Sequence, residues 1–203
     1  MQRRTKSDRL IVVDIETTCS NQKAEQIQNE IIEIGASIVD MKTLSVETNL
    51  SLFVKPQRSQ VTPFCTKLTG ITPEDVAEGL TLEEACNVLI GEYQSDEYAW
   101  ASWGDFDRLM INRECKFYKA RFPFNRQHLN LKVLFALHHR LPELVGLEQA
   151  AKYVGQEFIG KHHRGVDDAR TAAQLLLLMG GIAGGKMSIS LPSDFEKSGG
   201  SYQ

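Results

Sequence analysis

The run Leu10-Ile11-Val12-Val13-Asp14-Ile15 is apolar except for one aspartate and is rich in β-branched residues. A strand of that composition is buried on both faces, so it predicts a sheet layered between helices, with this run at its centre. Residues 31–39 and 44–54 read as two further strands, the second alternating through Leu50, Leu52 and Val54. Three strands in succession suggest an antiparallel meander. Thr72-Pro73-Glu74-Asp75 then supplies an N-cap, a first-position proline and first-turn acids, and Thr81-Leu82-Glu83-Glu84 is a capping box for a helix ending near Tyr93. Residues 96–102 read as a strand, Gly104-Asp105 opens a helix through Cys115, and residues 128–131 form a last strand. Helices follow at 133–140, at 147–154 ending on Gly155, and at 166–179, the last stopped by Gly180 and Gly181. The pattern predicts an α/β protein whose mixed sheet carries helices on its faces.

The 203 residues carry 23 Lys+Arg against 26 Asp+Glu, a net charge of -3. A chain of this size buries roughly 70% of its unfolded surface, enough for one domain without disulfides or a structural metal. The organisation expected is a flexible N-terminus at 1–9, one domain at 10–180 and a mobile Ser/Gly-rich tail at 181–203. Apolar stretches such as 175–179 fall far short of the ~20 residues that span a bilayer, and the first residues contain no signal-peptide core. No membrane association and a cytoplasmic location follow as expectations. The four cysteines form no C-x-x-C pair and read as reduced thiols. Slight acidity argues against coating long nucleic acid by charge alone, but not against gripping a few nucleotides through bound metal.

Asp14 and Glu16 flank Ile15, so both point to one face of the sheet. Burying two carboxylates together is costly unless a divalent cation with oxygen ligands neutralises them, although the pair also fits the polar end of a strand. Asp105 and Asp107, in Ser102-Trp103-Gly104-Asp105-Phe106-Asp107, sit where a strand hands over to a helix, which is where open α/β sheets build sites. Capping and the helix dipole account equally for those two acids. In His162-His163-Arg164-Gly165-Val166-Asp167-Asp168 a loop histidine precedes a first-turn acid, a pairing that capping alone does not require.

Taken together and in this order, Asp14-Ile15-Glu16-Thr17-Thr18, the aspartate closing Gly104-Asp105-Phe106-Asp107, and His163 five positions before Asp168 resemble the three motifs of the DEDDh exonuclease superfamily. That group includes the proofreading epsilon subunit of DNA polymerase III, ribonuclease T and the Eri-type RNA exonucleases. Ile31-Ile32-Glu33-Ile34-Gly35-Ala36 and Leu68-Thr69-Gly70-Ile71-Thr72 extend the resemblance, which covers residues 8–180. Trp103 and the segment Cys65-Thr66-Lys67-Leu68-Thr69-Gly70 look most like the Eri-type branch, whereas many proofreading members have asparagine at the position of Trp103. An aromatic directly before the catalytic aspartate selects Asp107 over Asp105. Use of the second of two adjacent acids selects the pair His163 and Asp168 over His162 and Asp167.

The resemblance implies a ribonuclease H-like mixed five-stranded sheet flanked by helices. It implies that Asp14, Glu16, Asp107 and Asp168 hold two Mg²⁺ ions, with Mn²⁺ as a substitute, and that His163 deprotonates the attacking water. The product would be a nucleoside 5′-monophosphate cut from a single-stranded 3′ end, RNA before DNA. Thr17, Thr18 and Leu68 would contact the terminal sugar and base, and Trp103 or Phe106 could stack on bases or belong to the core. A DNA proofreading or repair exonuclease is the alternative, followed by an inactive nucleic-acid-binding module. The sequence names no protein partner.

Overall fold

A computed structural model describes residues 8–21 and 29–183, with side chains as far as Gly180. Residues 1–7 of the expected N-terminal segment and 184–203 of the expected tail lie outside the described residues. In chain order the elements are β1 (Arg9–Thr17), β2 (Ile31–Asp40), β3 (Ser45–Phe53), α1 (Pro63–Thr69), α2 (Pro73–Ala77) and α3 (Leu82–Tyr93). They continue as β4 (Ala99–Ser102), α4 (Phe106–Tyr118), β5 (His128–Asn130), α5 (Leu131–His139), α6 (Leu147–Tyr153) and α7 (Gly165–Ala183).

The strands form one mixed five-stranded sheet in the order β3-β2-β1-β4-β5. β1 pairs antiparallel with β2 and parallel with β4, so the meander and the alternating half meet along it. Alternation along β1 divides the interior. Ile11, Val13 and Ile15 face the core beneath α3 and α4, where they meet Leu89, Trp100 and Ile111. Leu10 and Val12 face the opposite core with Phe135, Ala151, Ala172 and Leu176 of α5, α6 and α7. Parity therefore turns Asp14 and Glu16 to the α7 side, at the carboxyl end of the strand.

Several boundaries differ from the sequence expectation. Asp8 and Arg9 belong to the fold, with Asp8 2.7 Å from Lys42 and Arg9 2.7 Å from Glu47. The strand expected from residue 96 begins at Ala99, because the chain after α3 turns back, Glu97 N–H bonding to the Gln94 carbonyl at 2.9 Å. β5 ends at Asn130 because that side chain accepts from Val133 N–H at 3.1 Å and starts α5 two residues early. α1 was not expected, although Thr62 caps it and Pro63 opens it, the same signal that marks α2. Gly180 and Gly181 do not stop α7, which runs to Ala183. A helical glycine costs only about 1 kcal/mol, less than is gained by burying Leu175, Leu176 and Met179 on the sheet. All four cysteines are free, and no helix among the described residues is long and apolar enough to cross a membrane.

Candidate active site

β1 outruns its parallel neighbour. The last β1–β4 pair is Val12 with Ala101, after which β4 leaves through Trp103 and Gly104, whose φ of 118° suits glycine, into α4. Beyond that point Ile15 N–H donates to Asp107 Oδ1 at 3.0 Å, which draws the first turn of α4 against the acidic end of β1. Asp105 occupies the N-cap position but its side chain makes no capping bond. It bonds instead to Arg108 Nη2 at 3.2 Å and Asn130 Nδ2 at 3.0 Å.

The third motif is seated by a residue for which no role was expected. Glu33 of β2 is fully buried, and its Oε2 accepts from Gly165 N–H at 2.9 Å and from Arg164 Nε at 3.2 Å. Ser51 Oγ donates to its Oε1 at 2.7 Å. A carboxylate on β2 thus satisfies the free N–H end of α7 from outside the helix. Gly35 allows the same approach, since a Cβ there would overlap the Gly165 carbonyl carbon and Val166 N. The sequence signal for Glu33 was an acid within a run otherwise buried on both faces.

So placed, α7 turns Asp168 into the cleft, where its Oδ2 accepts from His163 N–H at 3.3 Å. Asp168 Oδ1 is buried without a hydrogen-bond partner. Asp167 faces elsewhere, bonding to Lys161 N–H at 2.9 Å and to Arg170 Nη1 at 3.3 Å. His163 adopts φ 66°, a strained value for a residue with a side chain, and its ring stacks on His162 with centroids 4.0 Å apart.

A cleft of about 280 Å³ brings Asp14, Glu16, Asp107, His163 and Asp168 together, and Ile15, Thr17, Trp103, Phe106, His162 and Leu147 complete its wall. Leu147 was expected only as a helix residue, and no sequence signal marks it for the site. The electrostatics are those of acids crowded away from water. Burial first, then Asp107, Asp168, Glu16 and Glu33, drives the Asp14 carboxyl far above its usual range. Burial, then Asp168 and Glu33, pushes Glu16 up to about 8. Asp168 rises to about 7, mainly by burial and against the His163 N–H bond. Asp107 rises to about 6, burial again outweighing the Ile15 N–H bond. His163 is lowered by its burial and then by His162 beside it. A divalent cation relieves this repulsion, and Asp14, Glu16 and Asp168 offer ligand atoms that all lie within 4.8 Å of one another.

Among the expected substrate contacts, Thr17 and Phe106 line the cleft, and Phe106 is 56% exposed. Trp103 also lines it, but its Nε1–H donates to the Val145 carbonyl at 3.1 Å and its ring packs on Phe135. Thr18 is buried and engaged, its N–H and Oγ1 both bonded to Glu30 backbone at 2.9 Å, so it supports the strand end rather than the cleft wall. Leu68 lies on α1, outside the cleft lining.

A model of the RNase_T family, described as Exonuclease, matches residues 11–176. The chain is 31% identical over 192 residues to ERI1 exoribonuclease 2 of Homo sapiens, a match covering 83% of this chain but only 28% of that protein. It is 29% identical over 173 residues to the probable 3′-5′ exonuclease KapD of Bacillus subtilis (strain 168), covering 84% of this chain and 83% of the relative. Among solved structures, the nuclease domain of 3′hExo, a DEDDh family member bound to rAMP, matches with a TM-score of 0.80 at 24% identity, over 88% of this chain and 94% of that one. Its RNase H-like fold is the five-stranded mixed sheet described above. By the family match the chain belongs to the exonuclease family, and its fold is that of the 3′hExo nuclease domain.

Proposed function

We propose that this chain is a metal-dependent 3′-to-5′ exoribonuclease that trims single-stranded RNA ends and releases nucleoside 5′-monophosphates. The observation that carries the proposal is the gathering of Asp14, Glu16, Asp107, His163 and Asp168 around one cleft, with the carboxyls raised by burial and mutual repulsion. The residues fit a hard cation. Three carboxylates are within reach of one ion, and Asp168 Oδ1 is a buried acceptor lacking a partner. Asp14, Glu16 and Asp168 would hold Mg²⁺, or Mn²⁺ in its place, and Asp14 with Asp107 would serve a second ion. When bound, such a pair of ions stabilises the negative charge that builds on the attacking and departing oxygens of a phosphodiester.

The chain's own residues supply the remaining steps. His163, held neutral near pH 7 by its lowered pKa, accepts a proton from the attacking water. Its position on the loop before α7 puts it in the cleft lining, with a ring nitrogen within 4.8 Å of an Asp168 carboxylate oxygen. Phe106 offers an exposed face on which a terminal base can stack without regard to its identity. The preference for RNA draws on the relatives, one named an exoribonuclease and one solved with a ribonucleoside monophosphate. The unit proposed to act is the domain at 10–180, extended by Asp8 and Arg9. A cytoplasmic setting is part of the proposal, since buried free thiols such as Cys86 and Cys115, 3.9 Å apart, stay reduced there.

The test is to incubate the protein and its Asp14→Ala variant with matched 5′-labelled single-stranded RNA and DNA in Mg²⁺, Mn²⁺ or EDTA. A metal-dependent ladder shortening from the 3′ end, faster on RNA and absent in the variant, is expected. Faster loss of DNA would turn the reading to a DNA exonuclease, and no cleavage under any condition would turn it to a binding module.

A further inference from the structure

His163 enters the cleft from a tight bend of the chain. Arg164 N–H donates to the Lys161 carbonyl at 3.2 Å, which leaves His162 and His163 at the two central positions of the turn. A residue with a side chain keeps the φ of 66° seen at His163 only where its surroundings fix it. Glu33 fixes the far end of the bend, through Arg164 Nε and Gly165 N–H. Asp167 fixes the near end. Its Oδ2 accepts from Lys161 N–H at 2.9 Å and its Oδ1 from Arg170 Nη1 at 3.3 Å. Thr171 Oγ1 extends the attachment, donating to the Asp167 carbonyl at 2.9 Å and accepting from Ile159 N–H at 3.1 Å.

The chain passes directly over this carboxylate. Gly160 has φ 74°, and a Cβ on it would come within 2.3 Å of both Asp167 Cγ and Oδ2. Only glycine lets residues 160 and 161 close on the carboxylate in this conformation. Asp167 is absent from the cleft lining, so any effect it has on the chemistry passes through another residue. An acid in the first turn suits the helix dipole wherever its side chain turns, so it is the direction toward Lys161 that calls for a reason. We propose that Asp167 is a positioning residue for His163: by holding Lys161 N–H to the first turn of α7, it fixes the bend that carries the imidazole into the cleft. The two neighbouring acids then divide the work, Asp168 serving the ions and Asp167 the histidine. The rate consequence rests on the exonuclease reading, but the anchoring does not.

Turnover of 5′-labelled single-stranded RNA at saturating Mg²⁺ is measured for the full chain, for Asp167→Ala, Asp167→Asn and His163→Ala, and for the double variant carrying both alanines. Amide hydrogen exchange at Lys161 is followed in parallel. Asp167→Ala should lower kcat by about 10- to 100-fold, the scale of an ångström of misplacement, with KM within about twofold of wild type. Asp167→Asn removes the charge beside Asp168 but keeps an acceptor for Lys161 N–H, and it should recover most of that rate. In the His163→Ala background, Asp167→Ala should cost no further rate, because a residue that acts through the imidazole then has nothing left to position. Lys161 exchange should quicken by about tenfold in Asp167→Ala and stay near wild type in Asp167→Asn. An equal fractional loss of kcat with and without His163 would give Asp167 a role in the metal site or the fold and overturn the proposal. Unchanged Lys161 exchange in Asp167→Ala would overturn it as well. The expected exchange pattern in a chain that never hydrolyses RNA would leave the anchor standing and overturn the exonuclease reading instead.

Discussion

Ile15 N–H and Asp107 Oδ1 are 3.0 Å apart, and this bond joins the acidic end of β1 to the first turn of α4 across the point where β4 has left the sheet. It gives one carboxylate two tasks: Oδ1 accepts from the strand, and the charge remains available to the cleft.

Substitution at Asp107 should separate those tasks. Asp107→Asn keeps an acceptor for Ile15 N–H and should melt near wild type, whereas Asp107→Ala leaves that donor without its partner and should lose about 1–3 kcal/mol. Both should lose at least about 100-fold in kcat, since several kcal/mol of charge stabilisation disappear with the carboxylate. Thermal melts beside turnover rates check this, and an active Asp107→Asn would remove Asp107 from the metal site.

Removing His163 should lower kcat by about 10²–10⁴-fold, the range for loss of a general base, without unfolding the chain. His162→Ala and Asp105→Ala should cost much less than His163→Ala and Asp107→Ala. The reverse order in measured rates would mean that His162 or Asp105 performs the step assigned here to its neighbour.

Metal and pH should be linked through stability as well as rate. Glu16, Asp168 and Asp107 have folded pKa values of about 8, 7 and 6, raised above the ordinary carboxyl range, so the metal-free folded chain binds more protons than the unfolded one. The stability this contributes is complete below pH ~4 and is lost progressively as pH rises from ~4 to ~8. In EDTA the melting temperature should therefore decline across that window, and Mg²⁺ should raise it more at pH 8 than at pH 6, by about 5 °C or more. Calorimetric scans giving equal Mg²⁺ stabilisation at both pH values would contradict this account.

Glu33 and Gly35 should matter without touching substrate. Glu33→Ala strands the buried Gly165 N–H and leaves the part-exposed Arg164 guanidinium without its carboxylate, a loss of about 1–3 kcal/mol, while Glu33→Gln should retain part of the seat. Gly35→Ala forces a methyl into the Gly165 carbonyl and should shift the start of α7, lowering activity and Mg²⁺ affinity together. Denaturant titrations and Mg²⁺ calorimetry check both, and a Gly35→Ala protein with wild-type Mg²⁺ affinity would show that α7 is seated by other contacts.

The two aromatics at the cleft should separate by kind of effect. Phe106→Ala removes an exposed stacking face and should raise KM for short RNA by about 5- to 150-fold, corresponding to 1–3 kcal/mol, with the melting temperature unchanged. Trp103→Ala removes a ring packed on Phe135 and bonded to Val145, so it should lower the melting temperature first. Equal KM effects with no change in melting would make Trp103 a substrate contact too.

The sequence by itself determined whatever depends on local pattern. The β-branched run 10–15 read as a central strand, and alternation about Ile15 put Asp14 and Glu16 on one face before any neighbour was known. The Thr-Pro caps of α2 and the box before α3 were legible because an N-cap is satisfied within four residues. Helix ends were less legible, as at Gly180, because the propensity of one residue is outweighed by packing that its neighbours cannot specify. Tertiary structure alone decided that Glu33 caps α7 across 132 positions, that Thr18 turns inward, and that Asp167 faces Lys161 while Asp168 faces the cleft. The first two depend on a backbone group from another strand or helix arriving within 3 Å, and the last on how the loop before α7 is seated against the closed sheet, which no single stretch of the chain specifies.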